Sequence, residues 1–317
     1  MQYSYLPSAD LSISKIGFGC GPLGGVDWGA FDEKQTMSAV SKALDLGINH
    51  FDTADVYGLG RSEELLSKAL GSRRKNVVIA TKFGVNWSQD YYGGRARTFY
   101  DSSTSRITEA LENSLRRLQL DSIPLYYIHW PDPNTPFSDT MEALIRCQES
   151  GKVQHIGLSN FSSSQIKKIH KDLHVDVVQA QYSLIDRAAE KELLLLSEQL
   201  GLNIITYGAL AQGLLTGKYK GDTKFGDDDC RQKLRHFHGD DFEQHSHVID
   251  KLVTMSNKYG VSVAQIALRW VLENPYISCA IAGIKTIEQI VDNAASLEWS
   301  IDSDDKDFFY KRLDKYI

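Results

Sequence analysis

The sequence predicts a single (β/α)8 TIM barrel, and three observations carry that expectation. Short apolar runs alternate with amphipathic segments of helical period along nearly the whole chain, the pattern of parallel strands joined by right-handed helical crossovers. Counting residues 277–282 as the last run gives eight such units. Polar residues cluster where each run stops, and in a barrel all of those strand ends open onto one face. The chain has 317 residues, within the span of one α/β barrel with loops, so residues 1–317 are expected to form one domain around one large core.

In order along the chain, residues 2–14 alternate weakly and carry Pro7, Ser8 and Asp10 as turn residues. Residues 15–19 read as the first barrel strand. Gly19, Gly21 and Gly24 then satisfy the G-x-G-x-x-G dinucleotide pattern, but that pattern needs a helix to begin within the glycines so that its amides meet a pyrophosphate. Here Pro22, Gly25 and Gly29 intervene and the helical period starts only after Asp32. A flexible loop carrying Trp28 is expected instead of a Rossmann turn. Asp32 with Gln35 makes a capping-box-like start, Met37, Val40 and Leu44 form an apolar stripe, and Gly47 ends the helix.

The strand at 48–52 follows, and the unit then repeats. Leu65, Leu66, Ala69 and Leu70 precede strand 77–81; Ile107, Leu111, Leu115 and Leu118 precede strand 123–129. Met141, Leu144 and Ile145 precede strand 153–159. Ser162 with Gln165 caps Ile166 and Ile169 before strand 175–180. Leu193, Leu196 and Leu200 precede strand 203–207.

The stretch 48–58 (INHFDTADVYG) organises the chemistry. It brings a carboxylate, Asp52, and a phenol, Tyr57, to one edge. A phenol titrates near ~10 and needs a nearby cation to favour its ionised form. Strand 77–81 runs straight into such a cation, Lys82, and strand 123–129 ends in an imidazole, His129. Asp52 could hold Lys82, Lys82 could depress the pKa of Tyr57, and His129 could orient an incoming carbonyl. Together they form a proton-delivery set.

Asp52, Tyr57, Lys82 and His129, each in its local motif, resemble the catalytic tetrad of the aldo-keto reductase superfamily. The resemblance continues through residues 114–118 (SLRRL), 157–161 (GLSNF), 213–219 (GLLTGKY) and 267–271 (ALRWV). It implies that residues 2–14 form a β-hairpin closing the barrel bottom. It further implies that Ser159, Asn160 and Gln179 hydrogen-bond a nicotinamide carboxamide and that Tyr207 stacks on the ring, an aromatic platform that presents one face for hydride transfer. The adenosine-phosphate grip falls on Gly283, Lys285, Gln289 and Asn293, since a lysine beside a helix N-terminus suits a phosphate. Gly21, Asp52, Leu210 and Gly213 fall on the cofactor side as well. Lys285 favours NADP(H). Because Gly283 and Gln289 are uncharged where related chains carry cations, NAD(H) is also possible. Trp28, Trp87, Tyr91, Tyr92 and Trp130, read as loop aromatics, are candidates to line a substrate pocket together with Tyr57 and His129. Arg231 is a candidate to help fold its loop over the cofactor.

Bulk properties narrow the alternatives. Hydrophobic residues make up 42% and charged residues 24%, an ordinary globular balance. The net charge of -6 argues against a nucleic-acid partner, which is normally met by a basic stripe. The absence of any apolar run near ~18 residues argues against a membrane span, and a cytoplasmic location is expected. Cys20, Cys147, Cys230 and Cys279 lack paired spacing and read as free thiols. Cys230, His236, His238, His245 and His247 are the nearest approach to a metal cluster, but they read as surface-loop composition, so no metal is expected. Two other functions stay in view: a nucleotide-bound regulatory subunit with little turnover, and a barrel hydrolase using Asp52 and Asp55. Asp52 and Asp55 are close in sequence, whereas hydrolase carboxylates normally flank the substrate from separate strand ends, and Lys82 beside Asp52 argues against one of them being a protonated acid.

Overall fold

The computed structural model describes residues 1–92 and 95–306, apart from the side chains of residues 89–92 and 95. The eight strands β3 (Ile16–Gly19), β4 (His50–Asp52), β5 (Val78–Phe83), β8 (Ile123–Ile128), β9 (Val153–Ser159), β10 (Val177–Gln181), β11 (Asn203–Tyr207) and β12 (Ile277–Gly283) close a barrel in that order. Every pairing around the ring is parallel, from Phe18 with Phe51 to Ile281 with Gly17. Helices α1 (Glu33–Asp45), α2 (Arg61–Leu70), α3 (Thr104–Leu118), α4 (Phe137–Glu149), α5 (Ser163–Asp172), α6 (Leu193–Leu200), α7 (Gly239–Tyr259), α8 (Val263–Glu273) and α9 (Ile287–Ala295) surround it.

Two cores divide the apolar residues by the period of two along each strand. Ile79, Tyr126, Val178 and Ile204 point outward into the layer shared with the helices. Val78, Ala80, Leu125, Tyr127, Val177, Ile205, Cys279 and Ile281 point inward and fill the barrel. The expected N-terminal hairpin, β1 (Tyr3–Leu6) with β2 (Leu11–Ser14), plugs the lower end with Leu6, Ala9 and Ile13, all packed against that inner set. Each fully buried aliphatic contributes about 1.5–3 kcal/mol, so the plug anchors the floor beneath the site.

Four expectations need correction. The buried face of α1 is Thr36, Ala39, Val40 and Ala43, with Met37 and Leu44 at its flanks, because small residues let this helix approach the barrel. Its N-cap is one-sided: Asp32 accepts from the Gln35 amide, whereas Ser162 and Gln165 cap α5 reciprocally. Residues 85–92 and 95–100, read as loop, form the antiparallel pair β6 (Val85–Tyr92) and β7 (Arg95–Tyr100). Aromatic and β-branched residues at alternating positions were the available signal. His245 and His247 belong to α7 rather than to a loop.

Candidate active site

The same alternation that fills the barrel builds the site. Continuing the inward series by two residues, His50 leads to Asp52, Ala80 to Lys82, Tyr127 to His129, Val177 to Gln179 and Ile205 to Tyr207. Each strand therefore delivers one polar side chain to the upper rim above an apolar floor. Tyr57 comes from the turn after β4. Its amide donates to the Ala54 carbonyl, 3.2 Å, and its carbonyl accepts from the Ser62 amide, 3.2 Å. The Ser62 hydroxyl in turn binds Thr53 Oγ1 and the Cys20 carbonyl, each at 2.8 Å. Gly24 and Gly58 lie face to face here, and a Cβ on Gly24 would come within 2.7 Å of the Gly58 nitrogen. Gly24→Ala should therefore displace the turn. A shift of about 1 Å at a reacting group costs on the order of 100-fold, so kcat should fall by that order with cofactor affinity retained, as steady-state kinetics and cofactor titration would show.

Lys82 is fully buried. Its Nζ donates to Asp52 Oδ2 at 2.6 Å and to the Thr53 carbonyl at 2.8 Å, and it stands 5.3 Å from the Tyr57 ring centre. Burial pulls the ammonium pKa down, but Asp52 and then Tyr57 outweigh it, so Lys82 is held above its ordinary value and stays charged. Gln179 Nε2 donates to the other oxygen, Asp52 Oδ1, at 2.7 Å. The rings of Tyr57 and His129 meet edge to face at 5.8 Å. Burial, followed by the Lys82 charge, drives His129 well below the usual imidazole range, leaving it neutral. The expected depression of Tyr57 does not appear as a net effect. Burial raises the phenol, Lys82 only partly offsets it, and the result lies above 10.0. The phenol therefore keeps its proton at neutral pH.

A cavity of about 1270 Å3 opens beside these groups, more than a drug-sized ligand fills. Asp52, Tyr57, Gln179, Tyr207, Leu210 and Gly213 line one stretch of it, and Gly21, Trp28, Gly283, Lys285, Gln289 and Asn293 another. Tyr207 donates to Asn160 Oδ1 at 2.6 Å, and Asn160 Nδ2 donates to the His129 carbonyl at 2.9 Å and to Ser159 Oγ at 3.1 Å. The platform, the imidazole strand and the two polar residues thus form one hydrogen-bonded unit. An aromatic face, an amide and a lysine around one cavity of this volume fit a nicotinamide dinucleotide.

Two loops cross the groove. Asp27 and Trp28 form β-bridges with Asp229, and Arg231 binds Asp229 through Nε at 2.8 Å and the Trp28 carbonyl at 3.1 Å. Arg231 thus ties its own loop to the Trp28 loop. Lys285 Nζ donates to the carbonyls of Trp28, 2.5 Å, and Ala30, 2.9 Å, so it is a latch for the Trp28 loop as well as a cation at the head of α9. Asp229, buried in this contact, was missed because nothing local in an acidic loop announces a partner about 200 residues away. Ala211 and Gln212 were missed too. Both have positive φ, 45° and 53°, and such strain in non-glycine residues gathers at functional sites.

The aromatics are not all brought together. Trp28 lines the cavity, but Trp87 and Trp130 are not among the residues that line it. Trp87 lies over the Arg106 guanidinium at 5.1 Å, and Trp130 is 38% exposed beside Tyr100. The Tyr91 and Tyr92 side chains lie outside the described residues. Ser159 and Asn160 reach the site through Tyr207 and His129 rather than through the cavity wall. Among the described residues no group of His, Cys, Asp or Glu is placed to hold a metal ion, and no helix is long and apolar enough to cross a membrane.

An eight-stranded parallel barrel whose rim joins a buried carboxylate–ammonium pair to a phenol and a neutral imidazole defines an oxidoreductase-type site beside a dinucleotide-sized groove. The aldo/keto reductase family model matches residues 15–312, and the chain belongs to that family, oxidoreductases of carbonyls that use nicotinamide cofactors. It is 34% identical over 309 residues to the aldo-keto reductase YhdN of Bacillus subtilis, covering 96% of this chain and 92% of the relative. It is 33% identical to a probable voltage-gated potassium channel subunit beta of Oryza sativa subsp. japonica, covering 94% and 92%. The glycerol dehydrogenase AKR11B4 of Gluconobacter oxydans superposes with a TM-score of 0.88 at 33% identity, covering 99% of this chain and 94% of that one.

Proposed function

We propose that this protein interconverts a carbonyl (aldehyde, ketone or sugar) and its alcohol with NADP(H), or less favourably NAD(H), using Tyr57 as the general acid and base. The observation that carries this reading is the buried Lys82–Asp52 pair beside the Tyr57 ring at the edge of the groove. A bound nicotinamide would supply or accept the hydride. Tyr57 gives its hydroxyl proton to the carbonyl oxygen as charge develops there, and the Lys82 ammonium stabilises the phenolate left behind. Asp52 keeps Lys82 in place, and neutral His129 donates a hydrogen bond to the same oxygen. Ser159, Asn160 and Gln179 would hold the carboxamide, Tyr207 the ring face, and Leu210 and Gly213 the wall of the groove. Gly283, Lys285, Gln289 and Asn293 would hold the adenosine end.

The direct test is spectrophotometric. NADPH and NADH oxidation would be followed against a panel of aldehydes, ketones and sugars, and NADP-dependent oxidation of glycerol and aldoses run beside it. Absence of turnover with every member would remove the reading. A nucleotide-bound regulatory role, suggested by the rice relative, would then gain ground; the intact pair at Asp52 and Lys82 favours turnover.

Cofactor choice has its own test. Lys285→Ala should raise the KM for NADPH roughly tenfold, the loss of about 1.4 kcal/mol, and that for NADH much less. Equal effects would show that Lys285 does not read a 2'-phosphate. The pH dependence follows from the raised Tyr57. Reduction needs the protonated phenol, so kcat/KM for reduction should stay level through neutrality and fall only as the pH rises through the phenol pKa. Oxidation should rise over the same interval. A decline in reduction beginning near neutral pH would exclude Tyr57 as the donor.

A further inference from the structure

We propose that Gln179 is a positioning residue for the tetrad in addition to its role toward the cofactor: by donating to Asp52 it shares that carboxylate between two donors and keeps Lys82 turned toward Tyr57. This rests on the functional reading above only for the cofactor half of the role. The tetrad half stands on contacts already in place. Asp52 is 4% exposed, so both of its oxygens need donors within the protein. Oδ2 is taken by Lys82 at 2.6 Å and Oδ1 by Gln179 at 2.7 Å. The amide orientation is dictated chemically, since an ionised carboxylate can only accept and therefore faces Nε2.

Lys82 has three protons to place. One goes to Asp52 and one to the Thr53 carbonyl, which leaves one for the phenol. Without the Gln179 donor, Oδ1 would have to draw on the same ammonium, and Lys82 would be pulled from Tyr57. The unshared carboxylate would also act more strongly on the phenol. Both effects disfavour the phenolate. With Nε2 committed to Asp52, the Gln179 Oε1 remains to accept from a carboxamide N–H in the groove that Gln179 lines. One side chain would then touch the cofactor on one side and the proton-donating set on the other.

The test uses the full-length, cofactor-free protein labelled with 3-fluorotyrosine, whose lowered phenol pKa brings the titration into a range the fold withstands. The Tyr57 resonance is identified as the 19F signal missing from Tyr57→Phe. In Gln179→Met its titration midpoint should move upward by about half to one pH unit. In Gln179→Leu, which likewise offers Asp52 no donor, it should move as far, and this variant carries the test if the methionine protein does not fold. NADPH affinity, read by fluorescence, should weaken about fivefold in Gln179→Met, the value of one hydrogen bond. A midpoint that stays put or moves down in a folded variant overturns the positioning role, even if NADPH binds more weakly. Failure of the reaction assignment itself would show elsewhere, as turnover persisting in Tyr57→Phe.

Discussion

Tyr57→Phe is expected to lower turnover by roughly 100- to 10,000-fold, the usual contribution of a positioned general acid, while cofactor binding stays near that of the parent protein. The substitution removes one oxygen and leaves the ring, so the 5.8 Å edge contact with His129 and the position of the ring under Lys82 can persist. The residues proposed to hold the cofactor, such as Tyr207 and Lys285, sit on other strands and loops. The measurement is steady-state turnover beside a fluorescence titration with NADPH. Activity within a few fold of the parent would end the proton-donor assignment, and loss of both properties would point to a misplaced turn instead.

The second large effect is expected at Lys82. Lys82→Met keeps the length of the side chain but leaves Asp52 almost fully buried with Gln179 as its remaining side-chain donor among the described residues. Removing one partner of a buried pair costs about 3–5 kcal/mol because the other charge is stranded, enough to lower Tm by roughly 5–10 °C in a domain this large. Adding Asp52→Asn removes the stranded charge and should recover much of that stability. Turnover should not recover, because the ammonium that stabilises the phenolate is still missing. Thermal melts and turnover on the two single variants and the double variant separate these effects. A double variant as unstable as Lys82→Met would mean that the pair is not what the melt reports.

The two predictions differ because the residues serve on different links of the chain. Lys82 holds structure and field together, so its loss reaches stability and rate. Under the proposed mechanism Tyr57 borrows both from its neighbours and contributes a proton.

Much of this arrangement was written locally. Alternating apolar runs and helical stripes determine the barrel, and the period of two carries Asp52, Lys82, His129, Gln179 and Tyr207 to one rim once the inner face of each strand is known. Gly24 and Gly58 are legible as glycines, but their contact is not, because it depends on how two separate loops meet. The β6–β7 pair was hidden for a related reason: its strands pair with each other outside the barrel, so no repeating unit announces them. Trp87 and Trp130 show the limit from the other side. Their position after strand ends suggested a pocket, but where an aromatic side chain turns is set by its neighbours, and Trp87 found a guanidinium.

The sequence by itself determined the barrel, the order of its strands and the residue types at each strand end, since these follow from local periodicity and the geometry of parallel crossovers. Only the tertiary structure decided the balance of fields and the crossing of the groove. Burial raises the Tyr57 phenol more than Lys82 lowers it, Gln179 shares Asp52 with Lys82, and Asp229, Arg231 and Lys285 fasten one loop across another. Desolvation and contacts between distant segments exist only once the chain has closed on itself, and no local pattern encodes their magnitude.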